Sequence, residues 1–375
     1  MHPGNTLAFA LKSMRLSGTA DLPLHTGKAP RWLFSRMVKL SGAIAEHIIE
    51  EYGEAELLRR LSSPHWFQAF SCAIGFDWHS SGTTTTTMGA LKEALSPEKH
   101  GVGVAGGKGS RGTKTPEELR EACARAGEEE LAEELIRASR LSFKVDAGCV
   151  QDGYQLYHHT MVFTLSGEWC VVQQGMKDRY ARRYHWHSEE LESFTCEPHT
   201  GISAQRVERR ALNLVSESSE EVRRASLELL EESPARLRRL AQGQRSLLEP
   251  ELRLPARHRV SRVDISERSW RALARLHEIQ PESYEELVGL PGVGGRTLRA
   301  LALLAELIYG TPADWRDPVK YSFAHGGKDG TPYPVDRRTY DRSIGILREA
   351  LEEARVGRRE KKQAILRLRH FLGEG

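Results

Sequence analysis

Apolar residues recur at helical spacing through 31–50 and 54–62, and the same periodicity resumes from Phe67 to Ile74. The chain is therefore expected to begin, after an extended segment at 18–24, with a run of amphipathic helices. A hydroxyl-rich stretch from His79 to Thr87 interrupts the pattern and is read as a polar loop leading into a helix over Met88–Leu95. A short apolar alternation from Gly101 ends in a glycine loop, and 116–140 reads as an acidic amphipathic helix or pair of helices. The period then changes. Leu141–Val145 alternates as a strand would and ends at Asp146, while Tyr157–Leu165 and Glu168–Met176 are expected to form a hairpin turning on Ser166-Gly167. That turn sets Phe163 opposite Cys170, Thr160 opposite Gln173 and His159 opposite Gln174. Residues 216–250 are helical and highly charged, and the pattern from about 260 onward is all-helical. The expected fold is α+β. An N-terminal α/β module with a small mixed sheet (1–210) is followed by a charged helical connector (211–255) and a C-terminal helical domain (256–375).

Composition narrows the class. A chain of 375 residues with 39% hydrophobic and 28% charged residues has room for two or three domains with sizeable cores. No apolar run approaches the ~20 residues of a membrane helix, and the first thirty residues lack a secretory pattern, so a cytoplasmic location with no membrane partner is expected. Net charge is only +3, but arginines cluster, as at Arg182/Arg183, Arg236/Arg238/Arg239 and Arg337/Arg338, which fits local steering toward phosphate. The five cysteines contain no Cys-x-x-Cys pair, which argues against a structural zinc. The loop Gly106-Gly107-Lys108-Gly109-Ser110 fails as a nucleotide-binding P-loop, because Gly109 stands where Ser or Thr is required, so no ATP use is expected.

The segment Leu290-Pro291-Gly292-Val293-Gly294-Gly295-Arg296-Thr297 is the most specific signal. It separates an apolar helical face (Tyr284, Leu287, Val288) from another (Leu298, Leu301, Ala302, Ala305). Glycines there bring backbone amides close to an anion, and the helix that follows contributes its positive end. This stretch resembles the helix-hairpin-helix motif, which implies that Gly292, Val293, Gly294, Gly295, Arg296 and Thr297, with Arg299, grip the DNA backbone without reading bases. Downstream, Tyr333-Pro334-Val335-Asp336 followed by an Arg-bearing helix resembles the helix-hairpin-helix DNA glycosylases. That resemblance implies a catalytic role for Asp336. Arg296 stands where bifunctional members carry a Schiff-base lysine, which disfavours lyase chemistry. Across its whole length the chain resembles the prokaryotic domain-of-unknown-function family 763, on Gly18–His25, Tyr157-His158-His159, Val172–Met176 and Arg179–Trp186; that likeness implies no activity.

Five of the fifteen histidines (His158, His159, His185, His187, His199) fall within 42 residues, beside Asp146, Asp152, Gln173, Gln174 and Lys177. A carboxylate and neutral imidazoles can hold a divalent ion that activates water against a phosphodiester, with a lysine offsetting the developing charge. Asp146, His158, His159, Gln174 and Lys177 are thus the candidate catalytic set. Asp146, His158 and His159 are the candidate ligands of Mg²⁺ or Mn²⁺. Arg179, Arg182, Arg183 and Trp186 share one face of an expected helix, suited to tracking a nucleic-acid backbone. The expected function is that of a DNA-binding, metal-dependent nuclease in repair or recombination. A monofunctional glycosylase using Asp336 and a non-catalytic DNA-binding adaptor are the alternatives. A homodimer and association with other repair proteins remain open.

Overall fold

The computed structural model describes residues 30–75, 81–178, 180–204, 206–243, 265–319, 345, 347, 349–353 and 356–371. The first helix, α1 (Arg31–Tyr52), buries Met37, Leu40, Ile44 and Ile48 on one stripe and ends at Gly53, whose positive φ lets its amide return to Ile49 O at 3.0 Å. Helix α2 spans Glu54–Leu61. Helix α3 (Pro64–Ile74) is capped by the Ser63 hydroxyl, starts on Pro64, and is buried along its entire length.

Helix α4 (Ser81–Ala94) begins seven residues earlier than the sequence pattern predicts. The threonines read as a loop lie inside the helix, and Thr83, Thr84 and Thr87 are buried. Their hydroxyls have tertiary or local partners, such as Ser71 Oγ at 2.9 Å from Thr87, and this removes the usual penalty for such residues in a helix.

Strand β1 (Val102–Lys108) is followed by helices α5 (Thr115–Ala126) and α6 (Leu131–Gly148). The expected strand at 141–145 is instead part of α6. In a strand Leu141, Phe143 and Val145 would share a face, but here Leu141 and Val145 are buried one helical turn apart while Phe143 is 41% exposed.

Strand β2 (Val150–Gln151) pairs with β7 (Leu212–Asn213). The main sheet adds β3 (Gln155–Thr164), β4 (Trp169–Lys177), β5 (Tyr180–His187) and β6 (Gly201–Ala204) to β1, in the order β1-β3-β4-β5-β6. Every pairing is antiparallel, not mixed as expected. The β3–β4 hairpin is one residue out of the predicted register: Phe163 faces Trp169, His159 faces Gln173 and His158 faces Gln174. The cause is the turn. Thr164 N bonds Glu168 O at 2.9 Å, so Leu165, Ser166 and Gly167 form a three-residue loop, with Gly167 taking the positive φ that such a loop requires.

The arginine-bearing segment expected as a helix is strand β5. It is buried on both faces, and burial on both sides erases the polar/apolar alternation that would have marked it as a strand.

Downstream of β7 lie helices α7 (Glu220–Glu231), α8 (Pro234–Gly243), α9 (Glu267–Ile279), α10 (Tyr284–Gly289), α11 (Gly295–Tyr309) and α12 (Arg358–Phe371). Two cores flank the sheet. Met161, Phe163, Val171, Tyr184 and Trp186 pack with α5–α11 on one face. Val162, Cys170 and Val172 pack with α1–α4 on the other, joined there by Leu347, Leu351 and, from α12, Ala364 and Leu368.

Candidate functional site

The glycine corner joins α10 to α11. Ser283 caps α10 by accepting from Glu286 N at 3.1 Å, and the Glu286 carboxylate accepts from Glu282 N at 2.8 Å, a reciprocal arrangement that fixes the start of the hairpin. Val293 and Thr297 point inward and are buried, anchoring the turn. Gly292, with φ +84°, needs to be glycine. Gly294 does not. It sits at the N-cap of α11 in an ordinary extended conformation, with no side-chain cap, and a Cβ placed there would meet nothing within 4 Å. The amides of Thr297 and Leu298 return to Gly294 O, so those of Gly295 and Arg296 are left outside the bonding of the helix itself. Gly292, Gly294, Gly295, Arg296 and Thr297 line a cavity of about 310 Å³ whose far wall is α9, with Arg268, Ser269 and Ala272.

The corner is braced from behind by α6 and β2. Lys144 Nζ donates to Leu290 O at 2.5 Å, Gln151 Nε2 to Gly295 O at 2.7 Å, and Arg299 Nη1 to Gln151 Oε1 at 3.0 Å. Arg299, expected as a DNA contact, is thus turned inward; burial pushes its pKa down. Arg268 and Arg275 on α9 are exposed beside the corner instead, the latter near Gly292. Their spacing of seven on a helix that packs against α11 was the available signal for them.

The reactive cluster is a buried polar layer divided by the sheet. On the face toward α6, Asp146, 2% exposed, accepts from Gln173 Nε2 (2.6 Å) and Trp186 Nε1 (3.0 Å) and pairs with His199 Nε2 (2.5 Å). Asp146 sits on a helix, not at a strand end. Gln173 Oε1 takes the Nδ1 proton of His159 (3.0 Å), and the Ser139 hydroxyl meets His159 Nε2 (2.7 Å). Burial holds that imidazole neutral, with its pKa lowered to about 4.

Further along the same face, the Arg182 guanidinium lies 2.8 Å from Asp152 and 2.7 Å from Asp317 and stacks 4.4 Å from the Tyr154 ring centroid. Burial alone would lower its pKa, but the two carboxylates lift it well above the ordinary value. Asp317 joins Asp152 in neutralising this arginine.

His158 points to the opposite face. Its Nε2 is 2.7 Å from Thr160 Oγ1, its Nδ1 finds no hydrogen-bond partner among the described residues, and burial lowers its pKa to about 3. Beside it Gln174 bonds the Thr84 and Tyr157 hydroxyls. Arg183 donates to Thr84 (2.8 Å) and Gln68 (3.1 Å), and burial lowers its pKa to about 9. Lys177, at the end of β4, pairs with Glu208 at 2.7 Å.

The five candidate catalytic residues therefore do not converge. Asp146 joins His159 through Gln173, His158 joins Gln174 across the sheet, and Lys177 stands apart. The sequence places His158 and His159 side by side, and strand alternation sends them to opposite faces. Among the described residues no three His, Cys, Asp or Glu side chains gather as a metal-holding group. Arg182 and Arg183, expected at a DNA-facing surface, are fully buried. Arg179 and Asp336 lie outside the described residues.

A family model described as Protein of unknown function (DUF763) matches residues 18–335, and the chain belongs to that family. Neither the curated proteins nor the solved structures give a match. Among the described residues no helix is long and apolar enough to cross a membrane.

Proposed function

We propose that this protein binds DNA by its phosphate backbone, with the α10–α11 corner as the gripping element. The observation that carries this reading is Gly294. Its backbone does not call for glycine, and Asp, Asn or Ser would cap α11 better. What a bare position offers is close approach to the amides of Gly295 and Arg296, at the positive end of a fifteen-residue helix, with Arg268 and Arg296 bordering the same cavity. Such binding is insensitive to base sequence and weakens steeply with salt.

Binding is assigned ahead of phosphodiester cleavage because Asp146, His158, His159 and Gln174 are buried on two sides of a sheet, where a DNA strand has no common access to them. Gly294→Asp separates folding from binding. An aspartate suits the N-cap, so thermal stability is expected to hold or rise, while its charge faces the phosphate and retention of labelled duplex DNA falls by about tenfold or more, roughly 1.4 kcal/mol. Unchanged retention would contradict the proposal. In the same assay, cleavage that requires Mg²⁺ or Mn²⁺ and disappears in Asp146→Ala would restore the nuclease reading.

A further inference from the structure

The basic amphipathic helix near the C-terminus takes no part in the corner, which packs on the other side of the sheet. Helix α12 packs on α3, and a groove of about 1460 Å³ runs between α12 and α1. Arg36, Lys39 and Arg359 line it and are exposed, as is Trp32 at 62%. The Arg36 guanidinium lies 5.4 Å from the Trp32 ring centroid. Arg31, Arg358 and Lys362 add exposed positive charge on the same two helices. Of the acids in the groove, Glu46 is already committed to Lys99 (2.8 Å) and His100 (3.1 Å), leaving Glu93 and Glu360 against this array.

We infer that this groove takes a single strand of nucleic acid, with Trp32 stacking on a base and Arg36, Lys39 and Arg359 pairing with phosphates. The inference rests on the proposed reading of the chain as a DNA binder and adds a second, structurally separate contact. A concave path edged with cations and carrying an exposed indole is the arrangement that tracks an unpaired strand, because stacking needs a free base face. A membrane surface is the other partner of basic amphipathic helices, but it requires a free apolar face. Most of the apolar face of α12 is spent: Ala364 and Leu368 are buried in the core and Ile365 packs against it, which leaves Leu366 as its exposed apolar side chain among the described residues.

The test uses the full-length protein with labelled oligothymidylate, labelled duplex, and phosphatidylserine-containing vesicles as separate probes. Trp32→Ala, and separately the double variant Arg36→Glu/Arg359→Glu, are expected to weaken oligothymidylate binding about tenfold while leaving duplex binding nearly unchanged. Trp32→Phe should recover most of the loss. These side chains are exposed, and unaltered melting temperatures will verify the fold. Oligothymidylate affinity that is unmoved in both variants, absent in the wild type, or accompanied by Trp32-dependent vesicle binding in its place overturns the inference. Gly294→Asp gives the converse pattern, with duplex binding weakened about tenfold or more and oligothymidylate binding kept. If Gly294→Asp changes nothing while the groove variants do, the corner fails and the groove stands.

Discussion

His158, His159, His185 and His187 lie on two strands of one sheet, and burial holds all four below the ordinary imidazole range. His158 is lowered to about 3, and His159 and His187 to about 4. An unfolded histidine titrates near pH ~6.5. From there down to about pH 4 the unfolded chain binds protons that the folded chain refuses, so stability is complete above the unfolded pKa and is lost as pH falls toward the folded values. Each such histidine steepens the loss by about 1.4 kcal/mol per pH unit. Urea unfolding measured between pH 7 and pH 4 should show this steep decline, and His159→Gln should reduce its slope by about one proton. A flat profile would mean that these rings are hydrated. His159 fills a hydrogen-bonding position in this dry interior, held between Ser139 and Gln173.

At the scale of elements, α1 was legible because it buries one stripe, with Met37, Leu40, Ile44 and Ile48. The glycine corner was legible for the same reason, since it falls between two apolar faces. Besides the early start of α4, three things were not. Phe143 imitated a strand residue by alternating with Ser142 and Lys144. Strand β5 looked helical because its arginines find carboxylate, hydroxyl and amide partners inside the molecule, which no local pattern announces. The hairpin register turned on whether its loop held two residues or three. That single residue decided which side chains faced His158 and His159, and with it the composition of the expected site. Gln151 shows how elements depend on each other: it links Gly148 O, Gly295 O and Arg299 and so ties the corner to α6. Gln151→Ala should cost about 1–2 kcal/mol in stability and weaken duplex binding only a few-fold, less than Gly294→Asp, because it loosens the corner without obstructing it. Equal losses in the two variants would argue that the corner is merely structural.

At the scale of the molecule, the sheet is a partition between two helical layers. Residues on both sides of the boundaries expected at 210 and 255 fill one core, from Leu135 and Phe163 to Leu229, Leu273 and Leu301. The chain then returns to the other layer, where Leu368 of α12 is buried with Ile44 and Phe70, and Arg367 donates to Ala73 O at the end of α3 at 2.9 Å. Sequence periodicity marked the chain beyond 260 as helical but could not say which core would receive α12, because that choice is made by shape complementarity with α3. Leu368→Ala should therefore lower stability by about 3 kcal/mol in denaturant unfolding, a loss that an outlying helix would not produce.

Main-chain amides that meet a phosphate are the core of the proposed binding, and amide NMR of the isotopically labelled full chain, titrated with duplex DNA, observes those groups directly. Hydrogen bonds to phosphate should move the Gly294, Gly295 and Arg296 amide protons downfield, in proportion to bound DNA and reversibly with salt. Saturable DNA binding that leaves these three resonances in place would contradict it.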